Sequence, residues 1–382
     1  MNEGRPARLD SLTGLRFFAA LGVLLTHINS NVTTLLGSAW CQFGYLGVPF
    51  FFALSGFVLT WTATADDTAR AFWRRRFARV YPLYLVSLLP GVILGLAGQA
   101  EVSALAAILS VVLLQGWFVT PTVVLKNPNG PGWSISAEAF FYALFPLLIP
   151  RARSASGRML ACSLVVLLAV VPLAIVAWDG VFSSWFVPYY AAAYQVAPFL
   201  SGVILAEAFR RGMRFPRLRW SLSLAVAVIF VLGLADGHAH VQLTNRPLVE
   251  IGVLPFVLLL IGSAATADIV GAPSLLRSRS VVKLGVWSYA LYLTQFPVIM
   301  VIEAISPNSL FGVNRVVGSL SAVALILLCI ALAWAAHRLI EAPWNDRLRH
   351  APKSVISEQE TVPAQRSEPE LHAGGQWVSV DG

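Results

Sequence analysis

Long apolar runs, broken by short arginine-rich segments, set the pattern of the chain. The runs lie at about 12–33, 44–62, 80–98, 103–119, 134–150, 159–177, 189–209, 220–235, 248–266, 284–304 and 315–337. A helix needs roughly 20 apolar residues to cross ~30 Å of hydrocarbon, so each run is a candidate span. The basic segments between them are the amino terminus, 70–79 (RAFWRRRFAR), 151–158 (RARSASGR), 210–219 (RRGMRFPRLR), 277–283 (RSRSVVK) and the stretch from Arg338. The excess of basic residues in cytoplasmic loops assigns all of these to the cytoplasmic side. Neighbouring basic segments are separated by two runs, except that three runs lie between residues 79 and 151. Parity then requires one of the three to stop short, which is tolerated where protein or a water-filled cavity covers the broken backbone. The expected fold is all-α: a polytopic membrane helix bundle of about ten spans plus one partial or re-entrant segment between 80 and 150. It would sit in the cell membrane with both termini cytoplasmic.

Composition agrees and removes other classes. With 57% hydrophobic and 12% charged residues and a mean hydropathy of +0.72, there is too little polar surface to cover a soluble globule. The formal charge of +8 resides in loops between apolar runs, which is topological charge and not a nucleic-acid face. Cys41, Cys162 and Cys329 are scattered, without ligand or disulfide spacing. Arg5, Arg8 and Asp10 precede the first run with no small-residue cleavage pattern after it, so a retained span is expected. From about residue 352 the chain is rich in Pro, Ser, Glu and Gln and reads as a disordered cytoplasmic tail (352–382) after a membrane domain (1–351).

Candidate chemistry comes from the polar residues inside apolar runs. In LDSLTGLRFFAALGVLLTHIN, Arg16 and His27 are eleven residues apart, about three turns and roughly 16 Å along one helix face. Ionisable groups at membrane depth cost about 2.5–3.5 kcal/mol or more and persist where they line a cavity or act on something. In GYLGVPFFFALSGFVLTW, Gly44, Gly47 and Gly56 with Ser55 permit either close helix packing or approach of backbone to a ligand. In FWRRRFARVYPLY, Arg75, Arg76 and Arg79 serve either as topological charge or as a phosphate-binding rim. In NPNGPGWSISAEAFFYALFP, Trp133 marks an interface, and Glu138 enters an apolar helix with Tyr142 one turn on. Glu138 either meets headgroups or is buried; a buried carboxylate needs a partner, for which His27 and Arg16 are the candidates. Later in the chain, Gln195 reads as a helix-pairing residue, and Tyr292 and Gln295 share a helix face. His337 sits at a helix end, and His238 and His240 lie in a polar loop too weakly patterned for zinc, so no metal site is expected.

These motifs together resemble the acyltransferase-3 family of integral membrane O-acyltransferases. The likeness runs from about residue 9 to 345 and rests on LDSLTGLRFFAALGVLLTH, GYLGVPFFFALSGF, RRRFARVYPLY, GPGWSISAEAFFYALFP, SYALYLTQFP and EAPW in that order. The resemblance implies an acyl-CoA co-substrate, commonly acetyl-CoA, arriving from the cytoplasm, no permanently bound cofactor, and a hydroxyl acceptor on a carbohydrate or a macrolide-type metabolite. By motif match, His27 is the expected catalytic histidine and Arg16 its companion. Arg75, Arg76 and Arg79 form the basic cluster, and Glu138 is the acidic residue of the tryptophan-serine motif. Trp133, Ser136, Tyr142 and Ser55 complete the expected substrate-binding set. Direct transfer has His27 as base with Glu138 supporting it; a relay through an acyl-enzyme on Ser134 or Ser136 is the alternative. The chain departs from the family pattern at Gln295, where a histidine is usual, and at Pro49, where an acidic residue is frequent. No esterase-like domain follows the last run, which tilts the expected acceptor toward a small lipophilic or glycosylated metabolite rather than an envelope or exported polysaccharide. A transporter or flippase of glycans or metabolites is the rival from another class, disfavoured because the intramembrane polar residues concentrate before position 143.

Overall fold

The computed structural model describes residues 8–31, 39–64, 67–170, 189–239, 246–305 and 315–349. The tail from 352, Arg5 and His240 lie outside the described residues. Thirteen α-helices are used below, in chain order: α1 (Asp10–Asn31), α2 (Gly47–Thr62), α3 (Ala69–Leu96), α4 (Ala104–Val111), α5 (Pro121–Leu125), α6 (Trp133–Ser154), α7 (Gly157–Val165), α8 (Val196–Arg210), α9 (Leu218–Ala239), α10 (Arg246–Val270), α11 (Arg279–Ile305), α12 (Arg315–Ala336) and α13 (Ala342–Arg349). No strand occurs among the described residues. Eight helical stretches are long and apolar enough to cross a membrane, and the protein is a multi-pass helical membrane bundle. The expected count of ten is not reached by length alone, because α7 and α8 are shorter.

The segment that stops short between 80 and 150 is the run 103–119. Only Ala104–Val111 is helical, and eight residues rise about 12 Å. The chain then turns through Leu113, which has φ +60°. Exposed peptide groups are costly away from water, so this stretch must find partners within the protein. Tyr81 donates to the carbonyl of Val111 (2.8 Å), Tyr84 to that of Ser110 (3.0 Å) and Ser136 to that of Leu113 (2.6 Å). Gly116 donates its amide to Ser136 Oγ (3.2 Å), and Gln115 donates to the carbonyl of Gly132 (2.7 Å). Pro297 deprives the carbonyl of Leu293 of its helical donor, and Asn129 Nδ2 supplies a replacement at 3.1 Å. The irregular segment is thus tied to α3 and α6 by side chains, and the loop that follows it to α11 through Asn129.

The arginine-rich connections gather at one end. Arg153 donates to the carbonyl of Ala63 (2.7 Å), Arg211 to that of Ala155 (2.6 Å), and Phe215 N to Thr266 Oγ1 (3.1 Å). At the same end α1 begins, and Ser11 donates its amide (2.8 Å) and its hydroxyl (2.7 Å) to the carboxylate of Asp268 on α10. A helix leaves its first amides without internal partners and favours negative charge there, so Asp268 caps α1 from across the bundle.

Small residues let the helices around α1 touch through backbone. A Cβ on Gly285 of α11 would fall 1.8 Å from the carbonyl of Thr13, and one on Gly14 would fall 2.3 Å from that of Leu276. Gly44, Gly47 and Gly56 serve the same purpose, facing the carbonyls of Gly22, Ala19 and Phe199, so their role is packing. Gly285→Val is expected to force α1 and α11 apart, at a cost above the usual ~1–3 kcal/mol of overpacking because the obstacle is backbone. Detergent-solubilised variant should elute as aggregate in size-exclusion chromatography, where a wild-type profile would contradict this seam.

Candidate active site

Between α1, α2, α3, α6 and α11 lies an open-sided cavity of about 120 Å³. Arg16 enters it from α1, Arg76 and Arg79 from α3, and Glu138 and Tyr142 from α6. Tyr289 and Tyr292 of α11 and Ser55 of α2 add hydroxyls to an otherwise apolar wall of Val48, Phe51 and Leu59. Three guanidinium groups thus face one carboxylate among the described lining residues, so the cavity carries net positive charge within low-dielectric walls. Such a field concentrates anions.

Local folding explains how each group arrives there. α3 begins at Thr68, whose hydroxyl accepts from the amide of Ala71 (3.3 Å); Arg76 and Arg79 follow about two to three turns in, one turn apart on a shared face. Arg76 stacks on the ring of Phe72, 5.5 Å from its centroid. Arg75 turns the other way and pairs with Asp67 at 2.7 Å, outside the cavity lining. On α6, Glu138 accepts a short hydrogen bond from the Tyr142 hydroxyl one turn later, while Trp73 holds the carbonyl of Tyr142 at 2.9 Å. Of the two partners the sequence offered Glu138, the structure brings Arg16 together with it, along with Arg76. Glu341, from the closing EAPW motif, also acts on Arg16 and is itself held by His337 Nδ1 at 2.8 Å.

His27 sits at the other end of α1's polar stripe and is not among the residues lining this cavity. Its ring packs edge-on to Phe296, centroids 5.5 Å apart, and the charge acting on it is Arg246 of α10. The far wall of the cavity is nevertheless close. Tyr292 precedes Phe296 by four residues on α11, about 6 Å of rise, and the loop at Gly130 lies against the Phe296 ring. Tyr292 and Ser134 share a hydrogen bond of 2.7 Å at that wall, and Ser134 also donates to the carbonyl of Pro131 (2.9 Å). Ser136 does not reach the cavity; its hydroxyl buttresses the irregular segment. Trp133 packs away from it as well, against Phe52, Tyr189 and Tyr190.

The sequence reading missed Arg246, Glu250 and Tyr289. None of the three stands out in sequence from the apolar run beside it. Gln195, expected to pair helices, donates to the carbonyl of Tyr189 (2.8 Å) and to Glu250 Oε2 (3.3 Å). The signal that could have exposed Arg246 and Glu250 is their spacing of one turn at the start of an otherwise apolar run.

Fold and site define a class: a polytopic helical membrane protein with an arginine-carboxylate cavity between its helices. Comparison with known proteins makes this specific. The chain belongs to the acyltransferase-3 family, whose acyltransferase domain matches residues 9–338. It is 34% identical over 372 residues to acyltransferase MdmB of Streptomyces mycarofaciens, covering 89% of this chain and 92% of that protein. It is also 27% identical over 333 residues to the peptidoglycan O-acetyltransferase OatA of Listeria monocytogenes, covering 78% of this chain and 51% of the relative. With O-acetyltransferase OatA of Staphylococcus aureus it shares 32% identity over 165 residues, 38% of this chain and 25% of the relative. The chain therefore spans about half or less of the OatA proteins. No solved structure matches. The protein is a membrane O-acyltransferase.

Proposed function

We propose that the protein transfers an acyl group, in the first instance acetyl, from acyl-CoA to a hydroxyl of a small glycosylated or lipophilic metabolite of the macrolide type. The observation that carries this reading is the positive cavity whose far wall, at Tyr292, lies one helical turn from Phe296, the ring that packs on His27. CoA phosphates bind at Arg76 and Arg79 by charge-assisted hydrogen bonds, with the arginine-rich end of the bundle facing the cytoplasm. The acyl-bearing arm extends along the apolar wall of α2 toward Tyr292. His27 takes the proton of the acceptor hydroxyl as its oxygen bonds to the thioester carbonyl carbon; the C–S bond then breaks and CoA leaves as the thiol, receiving that proton. Glu138 holds Arg16 and Tyr142 in place within the cavity. Direct transfer is favoured over a serine relay, because Ser136 is committed to backbone and Ser134 to Tyr292 and Pro131.

A second reading, a polysaccharide acceptor, is supported by the similarity to the peptidoglycan enzyme of Listeria. The test common to both uses purified protein in lipid nanodiscs with radiolabelled acetyl-CoA. Saturable binding and slow release of free CoA without acceptor are expected. No binding and no CoA release would overturn the donor assignment and favour the transporter reading instead.

A further inference from the structure

Near His27, and outside the lining of the cavity, lies a second polar cluster that the donor path does not use. Its core is Glu250 of α10. This carboxylate is 5% exposed; Oε2 accepts from Gln195 at 3.3 Å, while Oε1, also shielded, meets no donor among the described residues. Removing a carboxylate from water and leaving half of it without a donor is costly, and such an atom marks a place where a ligand donor completes the set. One turn before it, Arg246 lies over the rings of Tyr45 (4.9 Å) and Tyr189 (5.5 Å), where the ring faces attract the cation. That stack fixes the guanidinium where it acts on both His27 and Glu250. Tyr190 packs against Trp133 and Tyr189, with centroids 5.2 and 4.7 Å away, and, like Arg246, keeps part of its surface open.

We infer that Glu250 and Arg246, with the aromatic group around Tyr190, form the acceptor subsite and take a sugar-like ring. The chemistry selects that class. A carboxylate oxygen is an acceptor only and takes a hydroxyl neighbouring the reacting one; a guanidinium is a donor only and reaches a ring or glycosidic oxygen. Aromatic side chains cover the C–H face of such a ring, following the usual plan of an apolar site with a few placed polar groups. The reacting hydroxyl is then presented to His27 from the side opposite the thioester. This inference rests on the donor and acceptor roles proposed above and adds the residues that choose the acceptor. Glu250 and Arg246 are positioning residues; neither enters the bond-making step.

The test compares wild type, Glu250→Gln and Arg246→Lys in nanodiscs. Equilibrium binding of a panel of methyl glycopyranosides is measured separately from acceptor-free release of CoA from acetyl-CoA. Glu250→Gln preserves shape, removes the charge and turns one oxygen into a donor. It is expected to weaken glycoside binding, and to raise the acceptor KM, by tenfold or more, a loss well beyond any change in acceptor-free CoA release. Arg246→Lys keeps the charge and should retain part of the binding. Unchanged glycoside binding in Glu250→Gln overturns the subsite, as does a parallel loss of CoA release, which would mark a structural role. Wild type that binds no glycoside overturns the ligand class. Glycoside binding that depends on Glu250 in a protein inert to acetyl-CoA would instead sink the donor assignment and leave the subsite standing.

Discussion

Alanine at position 27 is expected to lower acyl transfer by about 10²–10⁴-fold, the usual contribution of a positioned general base. Of the six histidines in the sequence, His27 shares a helix with the cavity-lining Arg16, and its ring packs on Phe296, one helical turn from Tyr292 at the cavity's far wall. The imidazole packs edge-on to Phe296, and alanine in its place leaves a small void beside that ring. Membrane insertion and the elution profile should therefore stay as in wild type, and acetyl-CoA should still bind through the arginine rim. The measurement is release of CoA thiol with and without acceptor, alongside binding of labelled acetyl-CoA. Turnover within a few-fold of wild type in His27→Ala would remove the imidazole from the chemistry.

Arg76→Ala and Arg79→Ala should each raise the KM for acetyl-CoA by roughly tenfold to somewhat over a hundredfold, since a hydrogen bond to a charged group is worth about 1.5–3 kcal/mol. Both guanidinium groups line the cavity, whereas Arg75, on the same helix, is engaged by Asp67. Arg75→Ala is therefore the internal control and should change the donor KM by no more than a few-fold. If the arginines grip phosphate by paired hydrogen bonds, lysine at 76 or 79 restores charge without the fork and recovers only part of the affinity. Acceptor KM should not move in any of these variants. Equal effects at 75, 76 and 79 would mean that the cluster acts through topology or general field, and the phosphate rim would be lost.

The architecture was legible because its two strongest signals are averages over many residues. Apolar run length reports the spans, and arginine clustering reports which ends lie together; both survive errors of a few residues. Odd parity between 79 and 151 even located the segment that stops short, although not which run it was. That choice depends on Tyr81, Tyr84 and Ser136, whose hydrogen bonds to the broken backbone connect positions up to 30 apart. The cavity was legible in part: Arg16, Arg76, Arg79, Glu138, Tyr142 and Ser55 converge, as polar residues within apolar runs must when they hide from lipid. Ser136 and Trp133 resemble their neighbours in sequence but face another way, because one residue along a helix is a rotation of about 100°. Arg246 and Glu250 escaped notice since a charge near the end of an apolar run is ordinary, and only tertiary packing shows that Gln195, Tyr45 and Tyr189 enclose them.

The bond between Ser11 and Asp268 joins residues 257 apart, and the backbone seam at Gly285 is equally remote from Thr13. The first helix therefore leaves the ribosome long before anything can cap its opening turn or cover its arginine. During that interval Arg16 has neither Glu341 nor the wall of α11 beside it, and lipid or the insertion machinery must shield it. Biogenesis thus has a late checkpoint: nascent chains ending before about residue 290 hold an unsealed first helix and are the natural targets of membrane quality control.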